Sequence, residues 1–298
     1  MTIADGIWQQ IFNFDDYGEL LALVRNSLIA GVALGLVGGL VGVFVIMRDL
    51  PFAVHGISEL SFAGASAALL LGLNIVGGSI VGSLIAAGAI GLLGSRARDR
   101  NSVIGTLMPF GLGLGVLFLA LYEGRAANKF GILTGQIVAV DSPQMSWLLG
   151  TSAVVLVALM LVWRPLAFAS ADPDVAEARG VPVRGLSFAF MLVLGLAVAL
   201  SVQIVGALLV LTLVVTPAAA AARVTASPVL LPVLSVAFAV TSIEGGILLA
   251  LGSSIPISPY VTTLSFTIYV VCRLVGTYRT RQWDTGRAVP EPASPPPT

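Results

Sequence analysis

Two side chains able to bind a metal or carry a proton stand four residues apart in an apolar run: His55 and Glu59, in LPFAVHGISELSFAGASAALLLGL. They are the only titratable groups between Asp49 and Arg96. A spacing of four puts both on one face of a helix, about one turn apart. One imidazole nitrogen and one carboxylate oxygen so placed suit a divalent cation such as Zn²⁺ or Mn²⁺. The same two groups can also relay a proton, or simply satisfy each other as a buried pair. An ionised carboxylate at membrane depth costs about 3 kcal/mol or more, which makes Glu59 a functional candidate. The Gly, Ser and Ala around it let helices and ligands come close. Glu244, followed by Gly245 and Gly246, is the remaining intramembrane acid and a secondary metal candidate.

The elements that hold these residues must lie in a bilayer. Hydrophobic residues make up 57% of the 298-residue chain and charged residues 10%, with a mean hydropathy of +1.00, against about 25% charged in soluble domains. Net charge is zero, and the basic residues are mostly scattered singly, so no nucleic-acid partner is expected. The lone cysteine, Cys272, excludes an internal disulfide and a thiolate zinc cluster. The N-terminal stretch MTIADGIWQQIFNFDDYGEL carries acids and no basic segment, so it is expected to be retained rather than cleaved as a signal peptide. The only lysine, Lys129, lies between Asn128 and Phe130 rather than after a glycine-rich turn, so no ATPase P-loop is present. Ser58 has no G-x-S-x-G elbow around it, which excludes a hydrolase of that type. The chain reads as a transport protein rather than an enzyme, and no permanently bound cofactor is expected.

Apolar runs of about 20 residues with at most one or two charges mark the spans. They cover 20–47, 52–73, 75–94, 103–121, 145–163, 186–222, 229–251 and 260–275. The run at 186–222 is too long for one crossing and splits near Gln203 to Gly206, giving nine windows. Eight spans with one surface-lying segment fit almost as well. Gly31, Gly35 and Gly39 recur every fourth residue in the first window, a stripe suited to close helix packing. The stretch 123–143 is mixed and can hold a short interfacial helix. Alternation places 12 of the 15 Lys and Arg residues on one side. By the positive-inside rule that side is the cytoplasm, with the N-terminus outside and the C-terminus cytosolic in the cell membrane. The expected organisation is an extracytoplasmic segment over 1–19, a transmembrane domain over 20–278 with a cytosolic loop at 164–185, and a disordered tail over 279–298.

That loop contains SADPDVAEARGVPVRG. Asp172 is a good N-cap, Pro173 fits the first helical position, Asp174 favours the positive helix end, and Gly180 can end the helix left-handed. A cytosolic helix of about two turns follows. It is either an ordinary loop helix or a docking element for a cytosolic partner, offering Asp172, Pro173, Asp174, Glu177, Arg179 and Gly180.

These motifs resemble the permease subunits of the ABC transporters that import zinc or manganese, and the likeness covers nearly all of 20–275. The family's second-helix pattern is similar to Arg48, Gly56, Ser58, Glu59 and Gly64; its proline-aspartate loop to Pro173, Asp174, Ala176, Gly180 and Val181; and its most recognisable run to VGALLVLTLVVTPAAAAARV, with Gly206, Pro217 and Arg223 in register. The resemblance implies an all-α polytopic membrane protein of eight to nine transmembrane helices with the metal-importer permease fold. It also implies a separate cytosolic ATPase subunit at the capped loop, an extracellular solute-binding protein, and a permease homodimer. One departure stands out. Where the family has Asp followed four residues later by His, this chain has His55 followed by Glu59. Imidazole favours zinc over manganese as the transported ion. A proton- or ion-coupled secondary transporter using His55, Glu59 and Glu244 remains open as the alternative.

Overall fold

A computed structural model describes residues 24–94, 97–124, 142–207, 210–251 and 256–286. Among them are eleven helices and no strand: α1 (Arg25–Met47), α2 (Pro51–Leu70), α3 (Ile75–Leu93), α4 (Ala97–Leu121), α5 (Ser142–Ala171), α6 (Pro173–Ala178), α7 (Val183–Val205), α8 (Val210–Val214), α9 (Thr216–Val224), α10 (Leu230–Leu251) and α11 (Ile257–Gly286). Eight of them, α1 to α5, α7, α10 and α11, are long and apolar enough to cross a membrane. Windows of α1, α2 and α7 are mostly buried within the protein, whereas those of α4, α5 and α11 turn mostly outward. The first three therefore form the inner layer.

The long run over 186–222 breaks where expected, at Gly206, whose φ of 85° is left-handed and suits glycine. Its second half differs from a full span. α8 and α9 cover only Val210–Val224, about 22 Å at 1.5 Å per residue, short of a hydrocarbon core of about 30 Å. Among the described residues, eight spans plus this short interrupted helix take the place of nine full crossings, matching the eight-span alternative with the second half of this run as the short segment. The interruption has a local cause: Pro217, in the first turn of α9, has no N–H to offer the Leu213 carbonyl. Polar backbone freed at membrane depth must be covered. α1 covers it with glycines, since a methyl at Gly38 would come within 3.1 Å of the Leu213 carbonyl oxygen, and Gly42 lies against Val214. Ser265 of α11 donates to the neighbouring Thr212 carbonyl at 3.1 Å.

The expected glycine stripe also finds its partner. A Cβ on Gly35 would sit 2.9 Å from the Val240 Cα, and one on Gly39 2.6 Å from the Val236 Cα, both on α10. The Ser235 hydroxyl adds a hydrogen bond to the Gly39 carbonyl at 2.7 Å. Two glycine faces thus let α1 touch α10 on one side and α8–α9 on another.

Several boundaries differ from the sequence reading. α5 continues through Trp163 and Pro165 to Ala171, so Arg164 is helical and the polar connection shrinks to the segment around α6. Gly77 and Gly78 lie in the first turn of α3, which Asn74 caps by accepting the Gly77 N–H at 2.9 Å. The turn before α3 uses Gly72 at φ 68°. α11 runs past Val275 to Gly286, because no proline or glycine interrupts the polar stretch between Thr277 and Gly286. The expected helix within 123–143, the segment 1–19 and the tail beyond Gly286 lie largely or wholly outside the described residues.

Candidate metal site

α2 is held between α3 and α4 by close backbone contacts. A Cβ on Gly64 would lie 3.1 Å from the Gly82 Cα of α3, and one on Gly111 of α4 would lie 2.9 Å from the Glu59 carbonyl carbon. The Ser61 and Ser79 hydroxyls pair at 2.7 Å across the α2–α3 seam. This glycine and serine packing fixes the rotation of α2 and hence where its polar face points.

On that face His55 Nε2 and Glu59 Oε1 are 3.7 Å apart. That is too long for a hydrogen bond, so the pair does not satisfy itself as one. The gap suits a shared ion: two ligand bonds of about 2.1 Å in a tetrahedral site leave the donor atoms about 3.4 Å apart. Glu59 is buried at 4% relative exposure, while the His55 side chain keeps 30%, so the pair is open on the imidazole side. The Ser58 hydroxyl turns back to the His55 carbonyl at 2.8 Å and takes no part. Among the described residues, no third His, Cys, Asp or Glu joins to complete a metal cluster.

Glu244 is placed elsewhere. α10 packs chiefly on α1, α11 and α9, whereas α2 packs on α3, α4, α7 and α8. The Glu244 carboxylate lies against Gly31 of α1, and its Oε1 is buried without a hydrogen-bond partner.

The capped element between α5 and α7 forms as its sequence implies. Asp172 Oδ1 accepts the Val175 N–H at 3.0 Å, and Pro173 and Asp174 occupy the first turn of α6. Gly180 takes φ 81°. Its N–H reaches the Glu177 carbonyl at 2.9 Å while the Val181 N–H reaches that of Ala176 at 3.0 Å, the paired bonds of a Schellman stop. Only Ala176 is buried; Asp172, Asp174, Glu177 and Arg179 all face solvent. So does Val175, at 45% exposure, an apolar contact that the charge pattern did not flag.

A second polar corner joins the same end of the bundle. Arg48 donates to the Ser187 hydroxyl on α7 and lies 5.8 Å over the Phe190 ring. Arg100 on α4 donates to the Asp49 carbonyl at 3.4 Å. Desolvation, and then the nearby Arg100 charge, hold Arg48 below the usual arginine range. This corner pins the α1–α2 turn to α4 and α7, a role that the lone Arg48 in the sequence did not reveal.

A bundle of apolar helices, eight of them long enough to cross a bilayer, with a half-open His–Glu pair inside it defines a polytopic membrane protein. The family model described as "ABC 3 transport family" matches residues 21–276, and the chain belongs to that family. It is 27% identical over 89% of its length, and 92% of the relative's, to the manganese transport system membrane protein MntC of Halalkalibacterium halodurans. It is 32% identical to the manganese import system permease protein ScaB of Streptococcus parasanguinis, over 71% of this chain and 75% of that one. The high-affinity zinc uptake system membrane protein ZnuB of Haemophilus influenzae is 26% identical over 85% of this chain and 97% of its own length. Among solved structures, PsaBC from Streptococcus pneumoniae in complex with Fab aligns with a TM-score of 0.77 at 26% identity, covering 87% of this chain and 95% of that one.

Proposed function

We propose that the chain is the permease subunit of an ATP-driven importer of divalent metal ions, and that His55 and Glu59 are the ion's ligands in transit. The half-open pair on α2 is the observation that carries this reading: two donors, separated by the width of an ion rather than bonded to each other. A transport site must replace part of the hydration shell and still let the ion go. Two protein ligands with water, or with the same pair of a second copy, meet both needs. Both ligands bind metal only when deprotonated, so uptake falls as the pH is lowered.

The remaining parts of the reading follow the charge and the family. The N-terminus faces outward, where an extracellular solute-binding protein delivers the ion. α6 faces the cytosol, where Asp172, Asp174, Val175, Glu177 and Arg179 offer a rigid mixed surface to the ATPase subunit. Two permease copies enclose the path. The donor set, one imidazole with one carboxylate at near-tetrahedral spacing, favours zinc. MntC and ScaB above carry manganese in their names and ZnuB carries zinc, so direct competition is the informative measurement. The rival secondary-carrier reading needs Glu244 in a relay with the pair, and the separate packing of α10 and α2 weighs against it.

The test is uptake of Zn²⁺ and Mn²⁺ into vesicles containing the assembled transporter, with and without the ATPase subunit. The expected result is ATP-dependent uptake, and an altered zinc-to-manganese ratio when the ligands are exchanged as His55→Asp with Glu59→His. Uptake driven by a proton gradient without the ATPase subunit returns the carrier reading.

A further inference from the structure

We propose that Ser66 is a second station for the ion on α2, a neutral oxygen donor on the face that carries His55 and Glu59. The inference deepens the reading above and rests on it. At about 100° per residue, position 66 falls about 20° from the direction of Glu59 and about 20° from that of His55, between the two. It stands seven residues beyond Glu59, about 10 Å along the helix axis, too far to share an ion with it. With the N-terminus outside, Ser66 lies on the outer side of Glu59 and is met first by an incoming ion.

What separates Ser66 from an ordinary membrane serine is its hydroxyl. Ser58, Ser83, Ser170, Ser187, Ser201 and Ser242 each donate to a carbonyl three or four residues earlier. Ser61, Ser235 and Ser265 make bonds to other helices. Ser66 is fully buried, yet its Oγ has no partner. A hydroxyl buried without a partner costs about 1–3 kcal/mol, and an unpaired buried group calls for a reason. Ser152 on α5 is the other such serine among the described residues, and it is not on the face of the metal pair. The turn between Glu59 and Ser66 on that face carries Phe62 and Ala63, both buried, with the Phe62 ring against Gly115 of α4. The route is therefore closed between the two stations in this conformation. The Ser66 hydroxyl gains a partner only when the route opens and a partly hydrated divalent cation, or its water, reaches it. A neutral oxygen holds such an ion weakly, which suits a point of passage upstream of a charged site.

Ser66→Ala and Ser66→Cys, assayed in the assembled transporter in vesicles, test this. Ser66→Ala should leave the thermal stability unchanged or raise it, since an unpaired buried hydroxyl is removed, while initial uptake of Zn²⁺ or Mn²⁺ slows roughly tenfold through the loss of one ligand contact. Ser66→Cys should make uptake more sensitive to Cd²⁺ than in the parent, because a soft sulfur then meets the ion. A packing role would not move that inhibition curve. Parental uptake in Ser66→Ala, or slowed uptake with a parental Cd²⁺ response in Ser66→Cys, overturns the proposal. If His55→Ala abolishes uptake in the same vesicles, the site on α2 survives that failure; if His55→Ala also transports normally, both readings fall.

Discussion

α2 and α10 each carry one acid into the membrane, and the protein treats the two differently. On α2, Glu59 has an imidazole one turn away, a gap of 3.7 Å, and a half-open side through His55. On α10, Glu244 presses against Gly31 at a glycine-lined crossing with α1, with an unpartnered oxygen and, among the described residues, no ion-pair partner such as His55 gives Glu59. A costly charge is common to both, so cost alone does not identify a transport site. What distinguishes α2 is a second donor type at ligand spacing.

The sharpest way to break this comparison is to remove the α2 donors. His55→Ala and Glu59→Gln should each lower metal uptake by about a hundredfold or more, roughly the loss of one strong ligand in a two-ligand site. Assembly should persist in both, since the pair makes no hydrogen bond that the fold depends on. Radiometal uptake beside size-exclusion profiles separates the two effects, and parental uptake in both variants removes the site from α2.

On the α1–α10 side the largest effect should be structural. Gly39→Leu drives a side chain into the Val236 backbone, where a Cβ alone would stand 2.6 Å from the Cα. Backbone cannot yield as a flexible side chain can, and overpacking typically costs about 1–3 kcal/mol or more. The expected result is loss of most monodisperse protein in detergent. Normal yield with reduced transport would instead make this crossing part of the path.

Much of this was legible in the sequence, for identifiable reasons. Hydropathy gave the spans because lipid exposure demands long apolar runs. The α6 cap was legible because Asp172, Pro173 and Gly180 each do one local job that needs no distant partner. The Gly31–Gly35–Gly39 stripe was visible, but its partner α10 was not, since helix pairing is set by side chains about 200 residues apart, as in the Ser235–Gly39 bond. The shortness of α8–α9 was hidden for a related reason. Composition reports that 210–224 is apolar, but not that α1 glycines and Ser265 cover a break there. His55 and Glu59 could be placed on one face from spacing, whereas their 3.7 Å gap depends on rotamers that spacing leaves free.

A smaller effect is expected at α6. Gly180→Val forces a β-branched residue to φ 81°, a conformation that costs about 1–2 kcal/mol for an L-residue. α6 should lose its stop and its orientation while the spans stay folded. ATP hydrolysis by the assembled transporter should then be several-fold less coupled to uptake, read as ions moved per ATP. Unchanged coupling would make α6 an ordinary loop helix.

The smallest effect should come from Glu244→Gln, and it sharpens the comparison most directly. The amide has nearly the shape of the carboxylate, so the contact with Gly31 is kept while the possibility of charge is removed. If Glu244 only fills the α1–α10 crossing, uptake should stay within about twofold of the parent, and thermal stability should hold or rise because a half-buried ionisable group with one unpartnered oxygen is costly. Glu59→Gln makes the same chemical change on α2 and should be nearly silent in stability but severe in uptake. The two variants therefore form a matched pair, measured in one vesicle assay and one melting assay. If Glu244→Gln loses uptake as deeply as Glu59→Gln, an isolated acid on a separate helix shares the work of the pair, and the distinction between the two helices fails in favour of a relay that spans the bundle.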